Sequence, residues 1–265
     1  MSRPEGAGRE GSLWSPAVAR WCAPSLPPRL CDVLATMAQE ADAQRQQEGR
    51  RTSFGRQVFR LGLALGLPSA LCRRCGVFLD GLSLLFDITD NLADEAEDIA
   101  RGRRSGPAYG SLPRPLVMAT PPLLLGALLH GLHLQVGPLS PHVPYAIGRL
   151  MEVLSALTLG QGLERGDPGR AAAVAGPQGL LFALPLWLRH GAAPAPRLAV
   201  EGWGRSLATL WELASEAQEG VLGARARLAE AEAALRADWP RLPAFEAGAP
   251  FDWRNVTGLR ASAEG

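Results

Sequence analysis

Lysine is missing altogether: all 27 basic residues of this 265-residue chain are arginine. Its absence excludes a Schiff-base amine and the phosphate-gripping lysine of a nucleotide-binding loop. Tyrosine occurs twice, and alternating β-branched runs of strand type are not found. The four cysteines, Cys22, Cys31, Cys72 and Cys75, are too few for a disulfide scaffold in a chain of this size. The lone C-x-x-C, Cys72-Arg-Arg-Cys75, has no second pair of matching spacing and reads as two helix-borne thiols one turn apart. Charge of one sign is also lacking. With 26 acidic residues the net charge is +1, so no basic field recruits nucleic acid or an anionic membrane surface. Residues 1–12 hold no apolar core, and no secretory signal is expected there.

Between Pro115 and Gly148 there is no Asp, Glu, Lys or Arg, and Leu123 to Leu134 is densely apolar. The run is long enough to raise a membrane span. Pro121 and Pro122 interrupt it, however, and His130, His133 and Gln135 would need polar partners in lipid. A buried core helix is the expectation, and with it a cytoplasmic protein without membrane insertion.

What is present is helix-forming. Hydrophobic residues make up 47% and charged residues 20%, an ordinary globular balance. Ala, Leu, Arg, Glu and Gln dominate the long segments. Periodicity and Gly/Pro punctuation predict helices over 28–48, 54–66, 69–101, 114–134, 141–165, 177–190, 197–219 and 221–238. Residues 1–27 and 241–265 mix Pro, Gly and isolated tryptophans and read as loosely ordered ends. The expectation is an all-α, single-domain bundle of about eight helices over 28–240.

The segment running from Leu84 to Asp98 carries Asp87, Asp90, Asp94 and Asp98 at spacings of 3, 4 and 4. On one helix these fall within about 80° of a single face. Stacked carboxylates repel at this spacing, so a cation should offset them. Mg²⁺ shared between carboxylate and diphosphate oxygens would do so; pairing with Arg101, Arg103 and Arg104 on a solvated face is the other reading. Further on, Glu212, Glu216 and Glu219 fall within about 60° of one face of the 197–219 helix. Two such stripes could clamp a metal–diphosphate cluster in a helical bundle, or the second could be a plain surface stripe.

Asp90-Asn-Leu-Ala-Asp94 resembles the first aspartate-rich motif, D-D-x-x-D, of the trans-prenyl diphosphate synthases, with Asn91 in place of the second aspartate. Arg103-Arg104-Ser-Gly106-Pro107 resembles the R-R-G-x-P that follows it, with one residue inserted. Downstream, in order, Gly126-Ala-Leu-Leu is similar to G-D-x-L-L without its aspartate, and Gly160-Gln161-Gly-Leu-Glu164 is similar to G-Q-x-x-D. The resemblance spans about residues 28–240. It implies the isoprenoid-synthase bundle, Mg²⁺ as cofactor, and ionisation of an allylic prenyl diphosphate followed by condensation with isopentenyl diphosphate. It implies Asp90 and Asp94 as metal ligands, Asp87 and Asp98 as flanking carboxylates, and Arg103 and Arg104 on the diphosphate. It further implies Gln161 facing the ionising carbon or the second metal region with Glu164 supporting it, Phe86 bounding the hydrocarbon tunnel, and a homodimer or a heteromer with another prenyl synthase.

The departures are specific. Pro177-Gln178-Gly179 stands where the family has K-T-G, and Gly55-Arg56 with Arg60 stands where it has G-K-x-R. The second aspartate-rich motif is replaced by Trp211-Glu212-Leu-Ala-Ser215-Glu216-Ala-Gln-Glu219, which also resembles the second metal motif of terpene cyclases. Residues Thr89 to Arg103 resemble the second motif of squalene and phytoene synthases, though no earlier acidic motif accompanies them. Three functions stay open on the residues: a divergent prenyl diphosphate synthase, a cyclase-like enzyme using the allylic substrate alone, and a non-catalytic partner subunit of an active synthase.

Overall fold

Good helix formers with apolar residues at helical spacing make the described residues of this computed structural model overwhelmingly helical, and no strand occurs among them. The structure describes residues 13–47, 53–102, 104–161, 170–193, 195, 197–218 and 220–238. Along the chain run α1 (Pro16–Cys22), α2 (Pro28–Gln47), α3 (Phe54–Ala64), α4 (Ser69–Ala93), α5 (Glu95–Ala100) and α6 (Arg114–Val136). They are followed by α7 (Val143–Gln161), α8 (Arg170–Gly179), α9 (Leu184–His190), α10 (Arg197–Gln218) and α11 (Ala224–Asp238). Packing divides them into two compact units, one of residues up to 57 with 73–136, the other of 58–72 with 137 onward.

Of the loose end expected over 1–27, residues 1–12 lie outside the described residues, and 13–27 include an ordered helix in the first unit. Ser15 caps α1 by accepting the Val18 N–H, and Pro16 suits the first turn. Leu13, Val18, Trp21 and Cys22 are buried. The Trp21 indole lies against α6, where its N–H donates to the Leu128 carbonyl at 3.1 Å. A Cβ on Gly131 would stand 2.2 Å from that indole nitrogen, so only glycine admits the ring. The helix runs through Pro121 and Pro122 rather than ending there. Val117, Leu124, Leu128 and Leu132 are buried along it, whereas Leu116, Met118, Leu123 and Leu134 are exposed. Among the described residues one helix, Arg114–Leu139, is long and apolar enough to cross a membrane by length and composition, with 39% of its most apolar window buried.

In the second unit α8 packs between α7 and α10. Glycines set both contacts: a Cβ on Gly160 would lie 2.5 Å from the Ala173 carbonyl oxygen, and one on Gly179 only 2.1 Å from that of Gly204. The helix expected over 177–190 instead begins at Arg170, tightens into a 3₁₀ turn over Leu180–Ala183 and resumes as α9. Pro177 reads in sequence as a helix start, but it sits in the last turn of α8. There its missing N–H frees the Ala173 carbonyl, the atom nearest to Gly160.

Candidate diphosphate and metal site

One face of α4 is core. Phe78, Leu79, Leu82, Leu84 and Ile88 are buried, and the exposed Asp90 marks where the helix leaves the interior. Phe86 and Asp87 are half-buried at that edge. The continuous helix expected over 69–101 breaks at Asp94, which becomes the N-cap residue of α5. Its side chain caps no backbone N–H, but Glu95, Glu97 and Asp98 place negative charge in the first turn, where the helix dipole welcomes it. Two backbone bonds carry the register through the break: the Asp94 N–H donates to Asp90 at 2.9 Å, and the Asp98 N–H to Asp94 at 2.8 Å.

Asn91, standing in for the family's second aspartate, is buried and faces away from any ligand role. Its amide donates to the Tyr109 hydroxyl at 3.0 Å, and its carbonyl oxygen accepts from the Arg104 guanidinium. Arg104 also pairs with Asp98, Nε to Oδ2, at 3.5 Å, both side chains half-buried. So Asp98 and Arg104, expected on a metal and on a diphosphate, bond each other and Asn91. Glu95 completes the fastening of the loop after α5. It accepts two bonds from Arg114, at 3.0 and 2.6 Å, and the Ala108 backbone N–H. The bond from Arg114 holds the Glu95 carboxyl below its ordinary pKa. Tyr109 is buried with φ 58°, a left-handed backbone unusual for tyrosine, and burial pushes its hydroxyl up to about 12.

The second acidic stripe belongs to the second unit. Glu216 is buried and accepts from Arg227 of α11 at 2.8 Å. Glu212 is half-buried. Trp211, at the cyclase motif's Asn/Asp position, packs its ring 5.9 Å from Phe182, which also meets Trp203 edge-on at 5.1 Å. An aromatic cluster thus explains the tryptophan that a metal motif cannot. Arg56 and Arg60 are both exposed, the first in the first unit and the second in the other. Gly55 accompanies Arg56 for a packing reason: its N–H donates to Asp80 at 2.9 Å, and a Cβ there would lie 2.0 Å from the Gly76 carbonyl. Gly160 and Gly179 of the other two motifs are likewise helix-contact glycines. Arg103, Glu164 and Glu219 lie outside the described residues, as does the side chain of Gln161, the last residue of α7.

The C-x-x-C thiols are core. Cys72 and Cys75 are free and buried, and burial pushes the Cys72 thiol up to about 11. Among the described residues no three His, Cys, Asp or Glu come together as a metal-holding group. Mg²⁺ is commonly held by one or two carboxylates with phosphate oxygens and water completing its shell, and the hard carboxylate oxygens of Asp90 and Asp94 would suit that mode. Tyr109 and the Glu95–Arg114 pair were not singled out from sequence, and Asn91 was noted only as replacing an aspartate. Their signal was Asn91 itself, an amide amid six acids, with an Arg-rich loop ending in Tyr109-Gly. No family model matches this chain, and no curated protein and no solved structure is similar to it.

Proposed function

We propose that this chain is a divergent prenyl diphosphate synthase-like protein that takes an allylic prenyl diphosphate and Mg²⁺ at Asp90 and Asp94 and condenses the prenyl group with isopentenyl diphosphate. The observation that carries the reading is the position of those two carboxylates. They stand one turn apart where a core helix reaches the surface, Asp90 exposed and Asp94 half-buried. Asp90 and Asp94 would hold the metal, with Asp87 adding negative field. Bound there, Mg²⁺ supplies charge neutralisation for the departing diphosphate. Arg104, held between Asn91 and Asp98, stiffens the helix end and keeps a positive charge about one turn beyond the ligands. Phe86, half-buried before Asp87, bounds the hydrocarbon, whose carbocation must be shielded from water. The exposed Arg56, in the same unit as Asp90 and Asp94, supplies the guanidinium grip on the second diphosphate that lysine gives elsewhere. A homodimer or a heteromer with another prenyl synthase accompanies this reading.

One observation favours a second reading, a non-catalytic partner subunit of an active synthase: Asn91 is buried in a bonded network and Glu216 is paired with Arg227. Purified protein incubated with Mg²⁺ and C5 to C20 allylic diphosphates, with and without isopentenyl diphosphate, separates the cases. Longer prenyl diphosphates formed only with isopentenyl diphosphate are the expected outcome. Hydrocarbons or alcohols without it would show a cyclase-like enzyme, and folded but silent protein would favour the partner subunit. In parallel, Mg²⁺ with inorganic diphosphate should raise the melting temperature of the parent and not of an Asp90→Ala, Asp94→Ala double variant; equal shifts in both would remove the metal assignment.

A further inference from the structure

A cleft of about 460 Å³ lies wholly within the second unit, a size that suits small-molecule ligands. One wall is a face of α7, where Arg149, Val153 and Ala156 follow one another at spacings of four and three. Arg205 and Thr209, one turn apart on α10, form another. Between them lies the end of α8. Gly176 there is buried, yet a Cβ on it would meet nothing within 4 Å. A covered glycine with no atom near its would-be side chain agrees with open space beside the end of α8.

The lining has a charged end and an apolar remainder. Val153, Ala156, Pro177 and Leu180 offer only carbon to the interior. Arg149 is pinned: its guanidinium carbon stands 5.5 Å from the Trp187 ring centre, one amino group lies 3.7 Å from the buried Glu201, and the other bonds Glu152 at the surface. Arg205 is exposed and pairs with no acid among the described residues. Two guanidinium groups against the single carboxylate of Glu152 leave the lining net positive. The contact with Glu152 is an exposed ion pair, weak enough for an incoming anion to replace. Arg149 is thus preorganised, and Arg205 can swing to meet it with the Thr209 hydroxyl on the same face.

We infer that this cleft binds an anionic amphiphile, its phosphate or carboxylate head between Arg149 and Arg205 and its short hydrocarbon chain along Val153, Ala156 and Leu180. The inference goes beyond the diphosphate reading and does not need it, since Asp90 and Asp94 belong to the other unit and no metal is involved. Titration calorimetry of the whole chain without Mg²⁺ tests it, with octyl phosphate, octanoate, inorganic phosphate and 1-octanol as probes. Octyl phosphate or octanoate should bind saturably at one site, and whichever binds more tightly identifies the head group. Inorganic phosphate and octanol should each bind at least tenfold more weakly. Gly176→Leu, which fills empty space in a helix, should abolish binding with an unchanged melting temperature. Arg205→Ala, an exposed change, should weaken binding at least tenfold and decides the matter should Gly176→Leu fold poorly. Binding of inorganic phosphate or octanol as tight as the amphiphile's, binding unchanged by Arg205→Ala, or no binding of either amphiphile would overturn the inference.

Discussion

Two helices of this chain carry acidic stripes of nearly the same spacing, and the fold treats them in opposite ways. At the end of α4 the leading aspartates remain at the surface: Asp90 is exposed and Asp94 half-buried. On α10, Glu216 is 7% exposed and tied to Arg227, and Glu201, four turns earlier, is 5% exposed. Glu201 accepts the Trp187 indole N–H and the Arg197 guanidinium, each at 2.8 Å, with Arg149 nearby. Periodic acid is therefore no signature of a ligand site by itself. The two stripes differ in burial and in what lies beside them: α11 brings Arg227 to the buried Glu216, and the loop after α5 brings Arg104 to the half-buried Asp98.

The contrast can be broken most forcefully at Glu201. Changing it to Ala would strand two guanidinium groups in or near the interior and leave an indole N–H without its acceptor. The expected loss is about 3–5 kcal/mol in urea unfolding, the scale for removing one partner of a buried pair; a loss under about 1 kcal/mol would mean that the carboxylate is dispensable to packing. Glu216→Ala should come next, at about 2 kcal/mol, because Arg227 keeps some access to water. Asp90→Ala, by comparison, should stay within about 0.5 kcal/mol, as exposed changes do. Were Asp90 and Glu216 to lose equal stability, the division between open and structural acids would fail.

The smallest effect should be a pH dependence. The Glu95 carboxyl is held below its ordinary value by Arg114, so its contribution is fully present above the unfolded value near 4.5 and is lost as pH falls through the folded one. Exposure of Arg114 keeps it modest. Protease susceptibility of the loop between α5 and α6 should therefore rise as the pH is lowered below about 4.5, and an Arg114→Ala variant should flatten that rise. The same slope in both would assign it to other carboxylates.

The all-α class and most helix positions were legible because long periodic segments such as α4, α6 and α10 need little context. Three features were not. Helix α1 is seven residues long, too short to show a period, and its order comes from Trp21 finding Gly131 far along the chain. Pro177 signals a start or a last turn equally well, and only the partner helix decides. The glycines of three resembling motifs, Gly55, Gly160 and Gly179, each admit a close backbone neighbour, so packing alone would retain them. At the acidic site Asp90 and Asp94 were readable as exposed acids. The bonding of Asn91, Arg104 and Tyr109 depends on a turn that brings residue 109 back to residue 91, and no local pattern encodes it.

The indoles are also partitioned in a useful way. Trp21 is buried in the first unit on a carbonyl acceptor, while Trp187 is buried in the second on a carboxylate and beside a guanidinium. Ultraviolet emission from each ring therefore samples a different half of the chain in a different electric field. Single-tryptophan versions would turn the division into an optical signal: if the two emission bands shift red at different denaturant concentrations, the halves melt as separate cooperative units, and if they shift together, the chain melts as one.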